Sequence, residues 1–266
     1  MGIAAARLRI LAPVLFGSGV LVVWQIVCSL GLVPPRLLPS PLELAARLAD
    51  ELTRGRILGF AAVTVQEALL GTLLAVLLAL PLGYAIARLR WVDLALSPYV
   101  AASQAIPAIA IAPLLVVWIG YGLFPISVLC AATAFFPMLV TTSLGIRQLP
   151  RGVLEAARLD GASAWQSLVH VEAPIALPSV LAGVRAGATL SVTGAVVGEF
   201  IMGGRGLGML LTLYRDADDT AGMFTTLLLL VLMAVLLFTA LRVLERLLSR
   251  APRALPHLDD TTGATP

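Results

Sequence analysis

Between residues 58 and 87 the chain carries a single charged side chain, Glu67. A helix on the surface of a soluble domain is amphipathic, so charge returns to it every turn or two. A run of about 20 mostly apolar residues instead matches the hydrocarbon thickness of a bilayer. Only a helix can satisfy every backbone N–H and C=O within one such run. Comparable runs recur at residues 10–32, 96–119, 124–146, 175–202 and 223–244. The reading is an all-α polytopic membrane protein with six transmembrane helices. Composition agrees, with 59% of residues hydrophobic and 12% charged, against about 45–50% and about 25% in soluble domains. Disorder is excluded because disordered chains are polar.

The first run follows Arg7 and Arg9 and superficially resembles a signal peptide. It is too long for that, and no small-residue cleavage site follows it. Placing both termini in the cytoplasm puts 11 arginines on the inner side (Arg88, Arg147, Arg158 and Arg246 among them) and 6 on the outer side, as the positive-inside rule requires. Net charge +3 and pI 9.3 are therefore read as topology signals, with no nucleic-acid partner. All 18 basic residues are arginine. A P-loop needs a lysine on the nucleotide phosphates, so this chain has none, and a Schiff-base lysine is excluded as well. Cys28 and Cys130 lie in apolar runs, where a thiol packs as a small hydrophobe.

After the first run, Ser40 can cap a helix that has Pro41 in its first turn and Glu43 completing a capping box. Leu42, Ala45, Ala46, Ala49 and Leu52 then share one face, and Gly55 stops the helix. The pattern predicts an amphipathic helix at the membrane surface, serving to connect spans.

Residues 147–174 are too long and too polar for a simple connector. Val153, Leu154, Ala157 and Leu159 pattern one short helix, which Gly161 breaks. Trp165, Leu168 and Val169 pattern a second, capped by Ser163, and Pro174 and Pro178 then start the fifth span. The result is a compact protrusion, which could serve packing within the chain or contact with a partner.

Within it, Glu155-Ala156-Ala157, three residues, Gly161, nine residues and then Val171-Glu172-Ala173-Pro174 resemble the EAA loop of bacterial ABC importer permeases, whose pattern is EAA, x3, G, x9, I-x-L-P. Val171 and Ala173 replace the pattern's Ile and Leu. Trp24-Gln25, Leu38-Pro39-Ser40-Pro41, Pro113-Leu114 with Trp118 and Gly120, Gly198-Glu199-Phe200 and Arg205-Gly206-Leu207-Gly208 resemble the nitrate/sulfonate/taurine branch. The resemblance implies a permease subunit of the bacterial inner membrane, paired with a second copy, a cytoplasmic ABC ATPase dimer that binds ATP and Mg, and an extracytoplasmic substrate-binding protein. It implies that Glu155, Ala156, Ala157, Gly161 and Pro174 form the ATPase-coupling loop. No catalytic residue, metal site or cofactor of this chain's own is expected.

Ionisable groups at membrane depth normally face the bundle interior. Glu67, Arg185 and Glu199 are thus candidates for the translocation path, with structural ion pairing as the alternative. Ser103, Gln104 and Pro107 interrupt the third span, and Gln104 is a candidate cavity residue. Gly183, Gly187, Ser191, Gly194 and Gly198 form a small-residue face on the fifth span. That face suits close helix packing, and equally a smooth wall between two protomers.

The organisation read from this is an N-terminal end with the first span and outer helix (residues 1–57), a permease core (58–248) containing the loop, and a disordered cytoplasmic tail (249–266). An ion-coupled secondary transporter would show more spans and an internal repeat. A membrane-embedded enzyme would need clustered acids, nucleophiles or metal ligands, yet the two histidines are His170 and His257.

Overall fold

The computed structural model describes residues 3–248, so the tail at 249–266 lies outside the described residues. Those described are built of helices and connections alone: α1 (Ile3–Ser29), α2 (Pro41–Arg54), α3 (Arg56–Arg88), α4 (Arg90–Ser103), α5 (Ala108–Ile119), α6 (Leu123–Arg147), α7 (Arg151–Leu159), α8 (Ala164–Ser167), a π-helical turn (Leu168–Glu172), α9 (Ala173–Met202), α10 (Leu207–Asp216) and α11 (Thr220–Leu248). Four helical segments are long and apolar enough to cross a membrane: α3, α6, α8–α9 taken together and α11. The pair α4 and α5 makes a fifth if counted as one span. In α1 the apolar stretch among the described residues is the shorter Val14–Ser29.

Two expectations are corrected here. The third span is not continuous. α4 and α5 meet at 99° across a four-residue break. Pro107 has no N–H to extend α4 and pushes Ile106 out of helical geometry; Pro107 itself caps α5 in an extended conformation, φ −65° and ψ 129°. The second loop helix is also not separate from the fifth span. Ala164–Met202 forms one long helix, which absorbs Pro174 by widening. Ala173 N–H reaches back five residues to Leu168 O, a π-type turn that tolerates the proline's missing donor and bulky ring.

The core is a three-helix seam in which α6 packs against both α3 and α9. Glycine lets them approach. A Cβ at Gly187 would lie 2.7 Å from Ala134 O, and one at Gly194 would lie 2.9 Å from Cys130 Cα. Gly71 on α3 meets Cys130 in the same way, from the other side. The small-residue face of α9 is therefore covered by α6 of the same chain. It is a packing seam and not an open wall between protomers.

At one end of the bundle Arg88 closes α3 and pairs with Glu172 at 2.8 Å, while Arg147 closes α6 and pairs with Asp93 at 2.7 Å. These contacts place the ends of α3 and α6, the start of α4 and the loop on one side. At the opposite end α2 lies against α11. Ser40 Oγ accepts from Glu43 N at 3.2 Å, and Gly55 ends the helix at φ 72°. The packed face of α2 is Leu44, Arg47, Leu48 and Glu51, whereas Leu42, Ala45, Ala46 and Ala49 point outward. Arg47 pairs with Asp219 and lies over the Tyr214 ring, and Tyr214 donates to Glu51 at 3.0 Å. Burial, and next the Glu51 carboxylate that accepts its proton, raise the Tyr214 phenol above its ordinary pKa.

Candidate functional site

The loop is made by local chemistry. Pro150 suits the start of α7, since a helix's first residues need no N–H partner. The helix ends at Gly161, whose φ of 78° is costly for any residue with a Cβ. Ala162 N–H then bonds back to Ala157 O at 3.1 Å. Ser163 opens the next helix with a complete capping box: Gln166 N donates to Ser163 Oγ at 3.3 Å, and Ser163 N donates to Gln166 Oε1 at 2.8 Å. The reversal between two helical segments is thus encoded by Gly161 and Ser163.

Leu154 roots α7 in the apolar core. It packs against Ile146, Leu149 and Ala176. No residue of the helix is fully buried, and apart from Leu154 and Ala157 its residues are exposed. Glu155 and Ala156 are exposed and Ala157 half-buried. Leu159 is 88% exposed and Trp165 71%, and Val153 and Val169 are exposed as well. An apolar patch on an otherwise polar protrusion marks an interaction surface. Behind it, Glu172 is buried, paired with Arg88, and accepts from Ser167 Oγ at 3.4 Å. Sequence reasoning quoted Glu172 within the motif but missed this brace, because Arg88 stands 84 residues away.

Glu199 and Glu67 are brought together at the opposite end. Glu199 is fully buried; Thr64 Oγ1 donates to its Oε1 at 2.7 Å, and Gly208 N donates to its Oε2. Leu207 N donates to Thr64 Oγ1 at 2.8 Å, and Glu67 lies buried nearby with its Oε2 left without a hydrogen-bond partner among the described residues. The glycine-rich segment folds directly over this cluster. A Cβ at Gly206 would overlap Glu199 Oε1 and Thr64 Oγ1. Glu199 therefore clamps the start of α10 to α3 and α9. An adjoining cavity of about 500 Å³ is lined by Gln66, Glu67, Tyr121 and Arg205.

Arg185 sits elsewhere. It pairs with Glu245 on α11 and lies over the Phe238 ring, beside Arg242 and Arg246. Gln104 stands at the broken span, exposed, on the rim of another cavity, of about 270 Å³. Sequence reasoning grouped Gln104, Arg185 and Glu199 as one path; the structure places them in three separate surroundings. Among the described residues no cluster of three or more histidines, cysteines or carboxylates could hold a metal.

Comparison with known proteins matches residues 71–253 to the family model described as "binding-protein-dependent transport system inner membrane component". The chain is similar to the riboflavin transport system permease protein RibX of Chloroflexus aurantiacus, 44% identical over 86% of each chain. It is similar to the formylaminopyrimidine transport permease protein ThiX of Halalkalibacterium halodurans, 32% identical over 90% of this chain and 94% of that one. A third relative is the aliphatic sulfonates transport permease protein SsuC of Escherichia coli, whose assignment is putative in its own name, 31% identical over 94% and 95%. Among solved structures, the inward-facing MetNI methionine ABC transporter superposes with a TM-score of 0.67 over 74% of this chain and 98% of that one, at 22% identity.

Proposed function

This chain belongs to the family of binding-protein-dependent transport system inner membrane components and is a permease subunit of an ABC importer; from that premise we propose that two copies form the path for a small solute and that residues 147–174 couple it to a cytoplasmic ATPase. ATP and Mg bind the partner ATPase dimer, and this chain holds neither. An extracytoplasmic substrate-binding protein delivers the solute at the end where α2 and α10 lie. Both termini and the loop face the cytoplasm.

The observation that carries this reading is the uncovered apolar patch around α7. It needs a partner, and in this family the partner at hand is the ATPase. Ala156 and Ala157 permit close approach, and Glu155 offers a carboxylate to a basic or backbone donor. When the two ATPases close on ATP, the paired loops draw together. Ala164–Met202 is one helix, so displacement at Trp165 is carried along α9 as a lever. The Arg88–Glu172 pair passes it to α3. The spans then rock from inward-open to outward-open.

In proteoliposomes, uptake should require ATP and the partner ATPase. Uptake by this chain alone on an ion gradient would overturn the reading. Ala157→Arg should insert and fold normally yet lose about tenfold or more of the solute-stimulated ATP hydrolysis, the scale of a blocked contact. Normal coupling in that variant would remove the role of the loop. The relatives' names span a flavin, a pyrimidine and sulfonates, so the solute class must be sought in this chain's own cavities.

A further inference from the structure

The broken span is the least expected feature of the fold. Non-helical backbone at membrane depth persists only where protein buries it or where it lines a wet cavity, and transporters place substrate at such breaks. Here Gln104, Ala105, Ile106 and Pro107 are all exposed within the chain, so no part of the same protomer covers the break. Beside it lies a cavity of about 270 Å³ lined by Ser103, Gln104, Thr133 and Phe136 together with alanine and isoleucine side chains.

None of the described residues lining this cavity is ionisable. The membrane-depth ionisable groups lie elsewhere: Arg185 pairs with Glu245, Glu199 accepts from Thr64 and Gly208, and Glu67 lines the other cavity. An anion entering the cavity would lose its hydration with no cation to replace it, a large penalty at low dielectric. A neutral solute meets no such penalty. The polar groups on offer are well suited to one. The Gln104 amide donates once to Val100 O at 3.5 Å and keeps a second N–H and its oxygen for a solute. Ser103 Oγ spends its proton on Val100 O at 3.0 Å, and Thr133 shares its proton between Cys130 O at 2.8 Å and Leu190 O at 3.2 Å. Both hydroxyl oxygens thus remain as acceptors. Phe136 supplies a ring face, held edge-on by Phe135 at 5.1 Å between centroids. Acceptors, one amide and an aromatic wall together select a flat, uncharged ring bearing N–H or O–H donors.

We propose that the cavity at the α4–α5 break is the solute-recognition site of the path, and that it selects an uncharged hydrogen-bonding heterocycle over an organic anion. The proposal rests on the permease reading above, and it assigns Gln104 and Phe136 as the specificity-determining contacts. Gln104 pairs with the ring's edge, and Phe136 stacks on its face.

The full chain, purified with its ATPase and placed in nanodiscs at pH 6.5, tests this with two probes. Lumichrome is an uncharged fused heterocycle, and methanesulfonate is a small anion. The wild-type complex should bind lumichrome by fluorescence anisotropy and show no methanesulfonate binding by calorimetry. Gln104→Leu and Phe136→Ala should each weaken lumichrome binding by about tenfold or more, the discrimination expected when a polar partner or ring face is removed. Gln104→Arg should lose lumichrome and gain methanesulfonate. Methanesulfonate binding to wild type overturns the proposal, as does absent lumichrome binding or lumichrome binding indifferent to both substitutions. Whether the ATPase co-purifies with wild type is read separately. Its failure to do so overturns the importer reading, and the probe results do not bear on that.

Discussion

The two ends of the bundle handle their loops in opposite ways. At the end bearing α10, the glycine-rich segment is tied into the core through Glu199, whose two oxygens are both hydrogen-bonded within the chain. At the other end, α7 is rooted by Leu154 and braced from behind by Glu172, and its apolar tip is left bare. A loop clamped through a buried, hydrogen-bonded carboxylate is finished structure. A loop with a fixed root and an uncovered apolar face is half of an interface. The contrast separates the part of the chain that holds shape from the part that receives motion.

Four substitutions can break or sharpen that contrast, and they rank in order of stability cost. Glu199→Ala strips partners from buried Thr64 and the Gly208 N–H, and should destabilise the protein by about 3 kcal/mol, read as a lower thermal midpoint in detergent. If the midpoint holds, the clamp is not structural. Glu172→Ala strands Arg88 at the loop root and should cost about 1–2 kcal/mol, less than a fully buried pair because Arg88 keeps some solvent contact. Gly161→Ala forces a Cβ into left-handed backbone, for about 1 kcal/mol, with α7 more protease-sensitive than in wild type. Ala157→Arg should fall within about 0.5 kcal/mol of wild type in stability, while ATP hydrolysis no longer responds to solute. A large loss of stability there would place Ala157 in the packed core and abolish the distinction between the two ends.

Local signals were legible before any coordinates. Gly161 and Ser163 specify the loop reversal, and Gly55 the end of α2, because each acts through its own backbone or its near neighbours. Ser103, Gln104 and Pro107 announced an interruption in the third span. They did not reveal a 99° bend, since a proline removes a hydrogen bond without choosing the direction of the turn. The continuity of α8 with α9 was hidden for a related reason: a π-type turn at Leu168–Glu172 has no composition of its own and forms where tertiary packing makes it worth keeping. The outer helix was read by its apolar face alone, and its packed face was missed. Leu42, Ala45, Ala46 and Ala49 marked the face away from the protein, while Arg47 and Glu51 pack inward because their partners Asp219 and Tyr214 wait there.

By itself, the sequence determined that the chain is a bundle of membrane helices, that it binds no nucleotide through a P-loop, and that one polar loop differs in kind from its other connections. These follow from hydrophobicity, from residue types present or absent, and from spacing, all of which act locally. Tertiary structure alone decided which charge meets which. Thr64 finds Glu199 across 135 residues, Arg88 finds Glu172 across 84, and Arg185 finds Glu245 across 60. Each pairing depends on how the helices nest around the α3–α6–α9 seam, and no charge is brought to the cavity at Gln104.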